Sequence, residues 1–124
     1  MTNEFLLELA WKAREKATIW KSRHKVGCAI ETENGSVVEG WNIDGEWATS
    51  IHSEVCAIVH LTELKEKGIK VAIAADVESF TPCGACLDWL YQFCTQDAIL
   101  ITQNKRREIT EYRLKDLYPA YPKR

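Results

Sequence analysis

The spacing of apolar positions changes repeatedly along the chain, and each change marks a new element. Leu6, Leu9, Ala10, Ala13 and Ala17 recur at helical intervals behind Asn3 and Glu4, which predicts an opening helix. Val26–Thr32 and residues 36–43 then read as two short strands, and Asn34-Gly35 between them is a hairpin signal. Residues 51–68 return to helical spacing, with Val55, Ile58, Val59 and Thr62 on one side, Lys65 and Lys67 in the last turn and Gly68 as the stop. Residues 71–75 form an apolar strand. Thr81 then reads as a helix cap and Pro82 as a first helical residue, ahead of Leu87, Leu90, Tyr91 and Cys94 at i, i+3, i+4 and i+7. Residues 98–102 are a further strand, residues 103–107 a charged turn, and Leu114–Leu117 a short final helix. The order α-β-β-α-β-α-β implies an α/β fold, with one mixed central sheet covered by helices on both faces as a three-layer α-β-α sandwich. No repeat, linker or low-complexity tract interrupts it.

Two of these helix starts carry chemistry. His52-Ser53-Glu54 opens the second helix, and Thr81-Pro82-Cys83-Gly84-Ala85-Cys86 opens the third. A catalytic zinc takes three protein ligands and keeps one open position, and imidazole nitrogen and thiolate sulfur both suit it. His52, Cys83 and Cys86 supply such a set, neutral overall once two thiolates balance the ion. That neutrality favours hydroxide near neutral pH over what a three-thiolate centre would give. Cys83 and Cys86, three residues apart, share a helical face, and the helix N-terminus is expected to lower their thiol pKa. Glu54 projects away from His52 and stays free to carry protons beside the metal. Each piece alone has blander readings. His-x-Glu is an ordinary helix start, and Cys-x-x-Cys also serves thioredoxin-like redox pairs. A structural zinc knuckle would take a fourth ligand from Cys28, Cys56, Cys94, His24 or His60. Their joint occurrence in this order matches the zinc-deaminase pattern, which unites H-x-E with P-C-x-x-C.

Composition narrows the partners. The 124 residues suit a single domain, 1–124. Five cysteines with no signal peptide and no apolar run of membrane-spanning length point to a reduced, cytoplasmic protein with no membrane partner. A net charge of −2 and a pI near 5.9 argue against a nucleic-acid partner, and the clusters Lys105-Arg106-Arg107 and Lys123-Arg124 read as solvated surface. The five tryptophans suit interfaces or core equally.

Almost the whole chain resembles the cytidine deaminase family. His24-Lys25-Val26-Gly27-Cys28-Ala29 is similar to that family's F-x-V-G-A-A segment, Gly40-Trp41-Asn42-Ile43-Asp44 to its G-C-N-I-E segment, and residues 114–121 to its closing E-L-L-P-x-A-F. The resemblance implies a cytidine deaminase-like fold, one zinc per chain on His52, Cys83 and Cys86, and conversion of cytidine or deoxycytidine to the uridine form. Glu54 is then the catalytic proton carrier. His24, Asn42, Asp44, Ser53 and Thr81 are the substrate-binding set, with Asn42 and Asp44 on the ribose hydroxyls and only the backbone of Ser53 and Thr81 on the base. Family members of this length assemble as homotetramers, and Tyr121 matches the aromatic that completes a neighbouring site. The chain departs from the pattern at His24 for phenylalanine, Asp44 for glutamate and Ser53 for alanine. Residues 44–50 are one position shorter, and Trp41 and Trp47 are expected to fill space left elsewhere to the nucleoside. These departures keep a modified cytosine, a free base or another aminated heterocycle in view as substrate. A zinc-stabilised interaction domain without catalysis is the alternative from another class.

Overall fold

A computed structural model describes residues 1–121; the basic pair Lys123-Arg124 lies outside the described residues. Helix α1 (Asn3–Arg14) is capped by Thr2, whose hydroxyl accepts the Phe5 N–H at 3.1 Å. Strands β1 (Val26–Thr32) and β2 (Val37–Trp41) form the expected hairpin, with Gly35 at φ 85° in the turn, a conformation glycine adopts without steric penalty. The strand predicted over residues 36–43 ends early. Asn42 interrupts it, and Ile43–Asp44 (β3) instead pairs with Ser50–Ile51 (β4) in a separate two-stranded sheet. Helix α2 (Ser53–Leu64), strand β5 (Gly68–Ala75), helix α3 (Gly84–Phe93), strand β6 (Cys94–Gln103), strand β7 (Ile109–Arg113) and helix α4 (Leu114–Leu117) complete the chain.

The five main strands form one mixed sheet in the order β2-β1-β5-β6-β7, parallel only between β5 and β6, where α3 makes the crossover. Successive residues of the central strands point to opposite faces, and both faces are buried. Ala29, Ala72, Ala74 and Ile101 receive Leu6, Leu7 and Ala10 of α1 on one side. Cys28, Ile30, Val71, Ile73 and Leu100 receive Ala57, Ile58 and Leu61 of α2 and Leu87 and Leu90 of α3 on the other. The three-layer expectation therefore holds.

Several local expectations are corrected. Helix α2 ends at Lys65, which takes the left-handed conformation at φ 56°, and Gly68 instead begins β5. Its buried stripe is Glu54, Ala57, Ile58 and Leu61, one residue out of phase with the predicted one, so Val59 is 56% exposed. Leu7 joins Leu6 and Ala10 in the core face of α1, where Leu9 packs only half-buried, and Ala17 is buried beyond the helix end. Strand β7 was not anticipated, because its side chains are mostly exposed and carry no alternation. It is an edge strand held by pairing to β6 from Gln103↔Ile109 to Ile99↔Arg113.

Candidate metal centre

Both ligand-bearing helices start on residues that do not cap them. His52 and Cys83 occupy the N-cap positions of α2 and α3 in extended backbone geometry, and neither side chain bonds a helix N–H. Thr81 and Pro82 lie before α3, so the predicted cap is two residues too early. Ordinary caps such as serine or aspartate satisfy one free N–H and contribute roughly 1 kcal/mol. Here that contribution is forgone at both helices, and the imidazole and thiol are left to point elsewhere.

They point at each other. His52 Nδ1 lies 3.3 Å from Cys86 Sγ and 3.5 Å from Cys83 Sγ, and the three ligand atoms all lie within 4.8 Å of one another. Zinc bonds of about 2.3 Å to sulfur and 2.0–2.1 Å to nitrogen in tetrahedral array separate nitrogen from sulfur by about 3.6 Å, so the set fits the ion. Among the described residues this is the one cluster of three or more such side chains, and a fourth ligand from Cys28, Cys56, Cys94, His24 or His60 does not join it. His60 Nδ1 instead pairs with the Glu39 carbonyl at 2.8 Å. His52 and Cys83 are exposed while Cys86 is buried, so the cluster faces solvent from one side.

The electrostatics of Cys86 differ from the helix-dipole expectation. Burial, followed by the neighbouring Glu54 charge, pushes the Cys86 thiol well above its ordinary value. Desolvation therefore outweighs the helix N-terminus there, and thiolate at Cys86 requires a cation that displaces the proton. Glu54 itself is buried at 6% exposure, and its Oε1 accepts the Ser53 hydroxyl at 2.7 Å. The side chain of Ser53, expected to be a bystander, thus orients the carboxylate. Nothing in the spacing of H-S-E distinguishes that hydroxyl from the alanine methyl common in the family.

The remaining site residues fall into two groups. His24 and Thr81 are exposed, Thr81 two residues before Cys83, and the backbone carbonyl of His24 accepts from Asn42 Nδ2 at 2.9 Å. Asn42 and Asp44 are both 7% exposed and engaged with their own chain. Asn42 Oδ1 accepts the Val26 N–H at 2.9 Å. Both Asp44 oxygens accept donors from residues 20–22 and 50. Burial raises the Asp44 carboxyl, but the Ser22 hydroxyl and the N–H groups of Ser22, Lys21 and Trp20 more than offset that and hold it far below the usual carboxylate range. Trp47 is 83% exposed and fills no space at the centre. Trp41 packs against His60, with Lys16 Nζ 4.9 Å from its ring centre.

A family model, the cytidine and deoxycytidylate deaminase zinc-binding region, matches residues 1–102. The chain is 29% identical to a cytidine deaminase of Halalkalibacterium halodurans, over 97% of this chain and 93% of that protein. It is 30% identical to one of Sporosarcina psychrophila, over 97% and 90%. Among solved structures it superposes on cytidine deaminase from Burkholderia pseudomallei with a TM-score of 0.91 at 25% identity, covering 98% of this chain and 100% of that one.

Proposed function

This chain belongs to the cytidine and deoxycytidylate deaminase family, and from that membership we propose that it is a zinc-dependent hydrolase that converts cytidine or deoxycytidine to the uridine form with release of ammonia. The observation that carries the reading is the convergence of His52, Cys83 and Cys86 beside the buried carboxylate of Glu54. His52, Cys83 and Cys86 hold the ion, one per chain. Zinc, when bound, acidifies a water to a pKa near 7 and so makes a nucleophile available at neutral pH.

The protein's own groups do the rest. Glu54 takes one proton from the water and delivers it to ring N3 as the C4–O bond forms, then takes the second from the new C4 hydroxyl and passes it to the amino group as the C4–N bond breaks and ammonia leaves. Its carboxylate is held in one orientation by the Ser53 hydroxyl and sits out of solvent, so both transfers occur without competition from bulk water. His24 faces the ring, and the main chain of Ser53 and Thr81 meets its polar edge. The test is Glu54→Gln, which keeps the amide in the same hydrogen-bonding position and removes the titratable group. Zinc content stays near one per chain while kcat falls by about 10³-fold, within the range for loss of a positioned proton carrier. Retention of wild-type turnover would dismiss the role of Glu54.

The chain acts as one catalytic domain within a homotetramer in a reducing cytoplasm, where it recovers pyrimidines. Five free cysteines, and among the described residues no helix long and apolar enough to cross a membrane, support that setting. Val59, Leu64 and Trp89 lie exposed on the outer helices and support association. Tyr121 packs on Tyr91 and Tyr118 and donates to Asp88 within its own chain, a position from which the closing segment can meet a neighbour. Light scattering decides the subunit count, with a monomer as the contrary result.

A further inference from the structure

Cys83 and Cys86 are placed to bond to each other as well as to a metal. They stand three residues apart at the start of α3, where ideal helix geometry puts Cα atoms about 5 Å from one another, inside the range of about 4.4–6.8 Å that disulfides span. Their sulfurs lie within 4.8 Å of one another and share His52 Nδ1 as a neighbour, at 3.5 Å from Cys83 and 3.3 Å from Cys86. Closing that gap to an S–S bond of about 2 Å requires the turning of two side chains.

The two thiols differ in access. Cys83 is exposed, as are Gly84 and Ala85 beside it, and a Cβ on Gly84 would meet nothing within 4 Å, so a small reagent reaches Cys83 from solvent. Cys86 is 0% exposed and meets no such reagent directly. Among the described residues it is the thiol that clusters with Cys83, while Cys28, Cys56 and Cys94 are buried and stand outside that group. An accessible cysteine backed by a resolving partner is the arrangement in which the first sulfur is oxidised and the second captures it.

We propose that in the zinc-free chain Cys83 and Cys86 form a modification site for hydrogen peroxide, closing to an intrachain disulfide that shuts the metal out until it is reduced. The Cys83 sulfur attacks one peroxide oxygen: the S–O bond forms as the O–O bond breaks, and the thiol proton leaves with the other oxygen as water. The Cys86 sulfur then attacks the Cys83 sulfur: the S–S bond forms as the S–O bond breaks, and the hydroxyl takes the Cys86 proton and departs as a second water. The two sulfurs supply the two electrons that reduce the peroxide. A disulfide offers zinc no thiolate, so of the three ligands only His52 remains. The consequence for activity rests on the zinc deaminase reading, whereas the bond itself does not.

The experiment takes the full chain, freed of zinc by chelation, reduced and cleared of reductant, and adds a slight excess of hydrogen peroxide, with zinc-loaded and urea-unfolded chain treated alongside. The expected result is a mass lower by two hydrogens, a Cys83–Cys86 link on fragment mapping, and a fall in alkylatable cysteines from five to three. Zinc uptake, read with a chromophoric chelator, drops by about tenfold or more and returns with dithiothreitol. The zinc-loaded chain keeps its thiols over the same time. Oxygen added at Cys83 with Cys86 still alkylatable would overturn the proposal, as would links to Cys28, Cys56 or Cys94 in the proportion found for the unfolded chain. Equal oxidation of the loaded and zinc-free chains would overturn it too. Reduced, zinc-reloaded chain that leaves cytidine untouched defeats the deaminase reading alone, and mass and zinc uptake still decide the disulfide.

Discussion

Gly40→Ala should impair the enzyme from the strand that lies directly under the start of α2. A Cβ on Gly40 of β2 meets the Ser53 carbonyl oxygen at 2.2 Å and the Ala57 nitrogen at 2.3 Å, both backbone atoms of the first turns of α2. Neither can swing aside as a side chain would, so restoring ordinary contact moves the start of α2 outward by about 1 Å. That turn carries His52 at its cap and Glu54 in its first turn. A misplacement of about 1 Å between reacting groups costs on the order of 10²-fold in rate. Overpacking of this kind also destabilises by about 1–3 kcal/mol, or roughly 4–12 °C in Tm for a domain of this size. Gly27→Ala is the matched control. Its Cβ would meet Ala10 O at 1.9 Å and Arg14 N at 2.6 Å, backbone of α1 on the opposite face, remote from the metal ligands. Both variants should lose comparable Tm, but only Gly40→Ala should lose about 100-fold in kcat/KM at a temperature where both are folded. Equal activity losses, or activity of Gly40→Ala within threefold of wild type, would refute the argument that the close approach of β2 and α2 sets the catalytic geometry.

Other outcomes follow from the charges and thiols. The folded Asp44 carboxyl lies well below the unfolded value near 3.9, so its contribution to stability is complete above about pH 4 and is lost as the pH falls further. Asp44→Asn should therefore flatten the acid limb of unfolding free energy against pH, measured by urea titration, and an unchanged limb would count against the hold of the donors at residues 20–22 and 50 on that carboxylate. Among the cysteines, Cys83 is exposed, whereas Cys28, Cys86 and Cys94 are buried, and burial pushes the Cys94 thiol up to about 12. Chelation should thus expose Cys83 first to alkylation, followed by mass spectrometry, while Cys28 and Cys94 stay unmodified until unfolding. Early labelling of Cys94 would contradict the packing of β6 against the core.

Much of this was legible in the residues, and the misses share causes. Strand β1 and the Asn34-Gly35 turn follow from short-range signals that tertiary contacts merely confirm. The phase of α2 was misread because its buried stripe includes Glu54. A carboxylate in the core face looks like a surface residue to any hydrophobic pattern, and Val59, apolar but exposed, completed the false stripe. Functional residues thus masked the core they belong to. The cap of α3 falls outside the prediction for a related reason, since Cys83, a candidate metal ligand, stands where serine or threonine would be expected. Strand 36–43 was drawn too long because nothing local signals that Asn42 turns inward to bind Val26 and His24, partners 16 and 18 residues away. The convergence of His52, Cys83 and Cys86, by contrast, is legible in the sequence, because H-x-E and P-C-x-x-C bring these side chains together through the helix starts they occupy.

The most direct test measures zinc and catalysis on the same sample: metal content by mass spectrometry, then initial ammonia release from cytidine before and after chelation. The account predicts about one zinc per chain, turnover that disappears with the metal, and recovery on adding zinc back. Turnover that survives complete removal of zinc, or a fully zinc-loaded protein inert toward both cytidine and deoxycytidine, would contradict it.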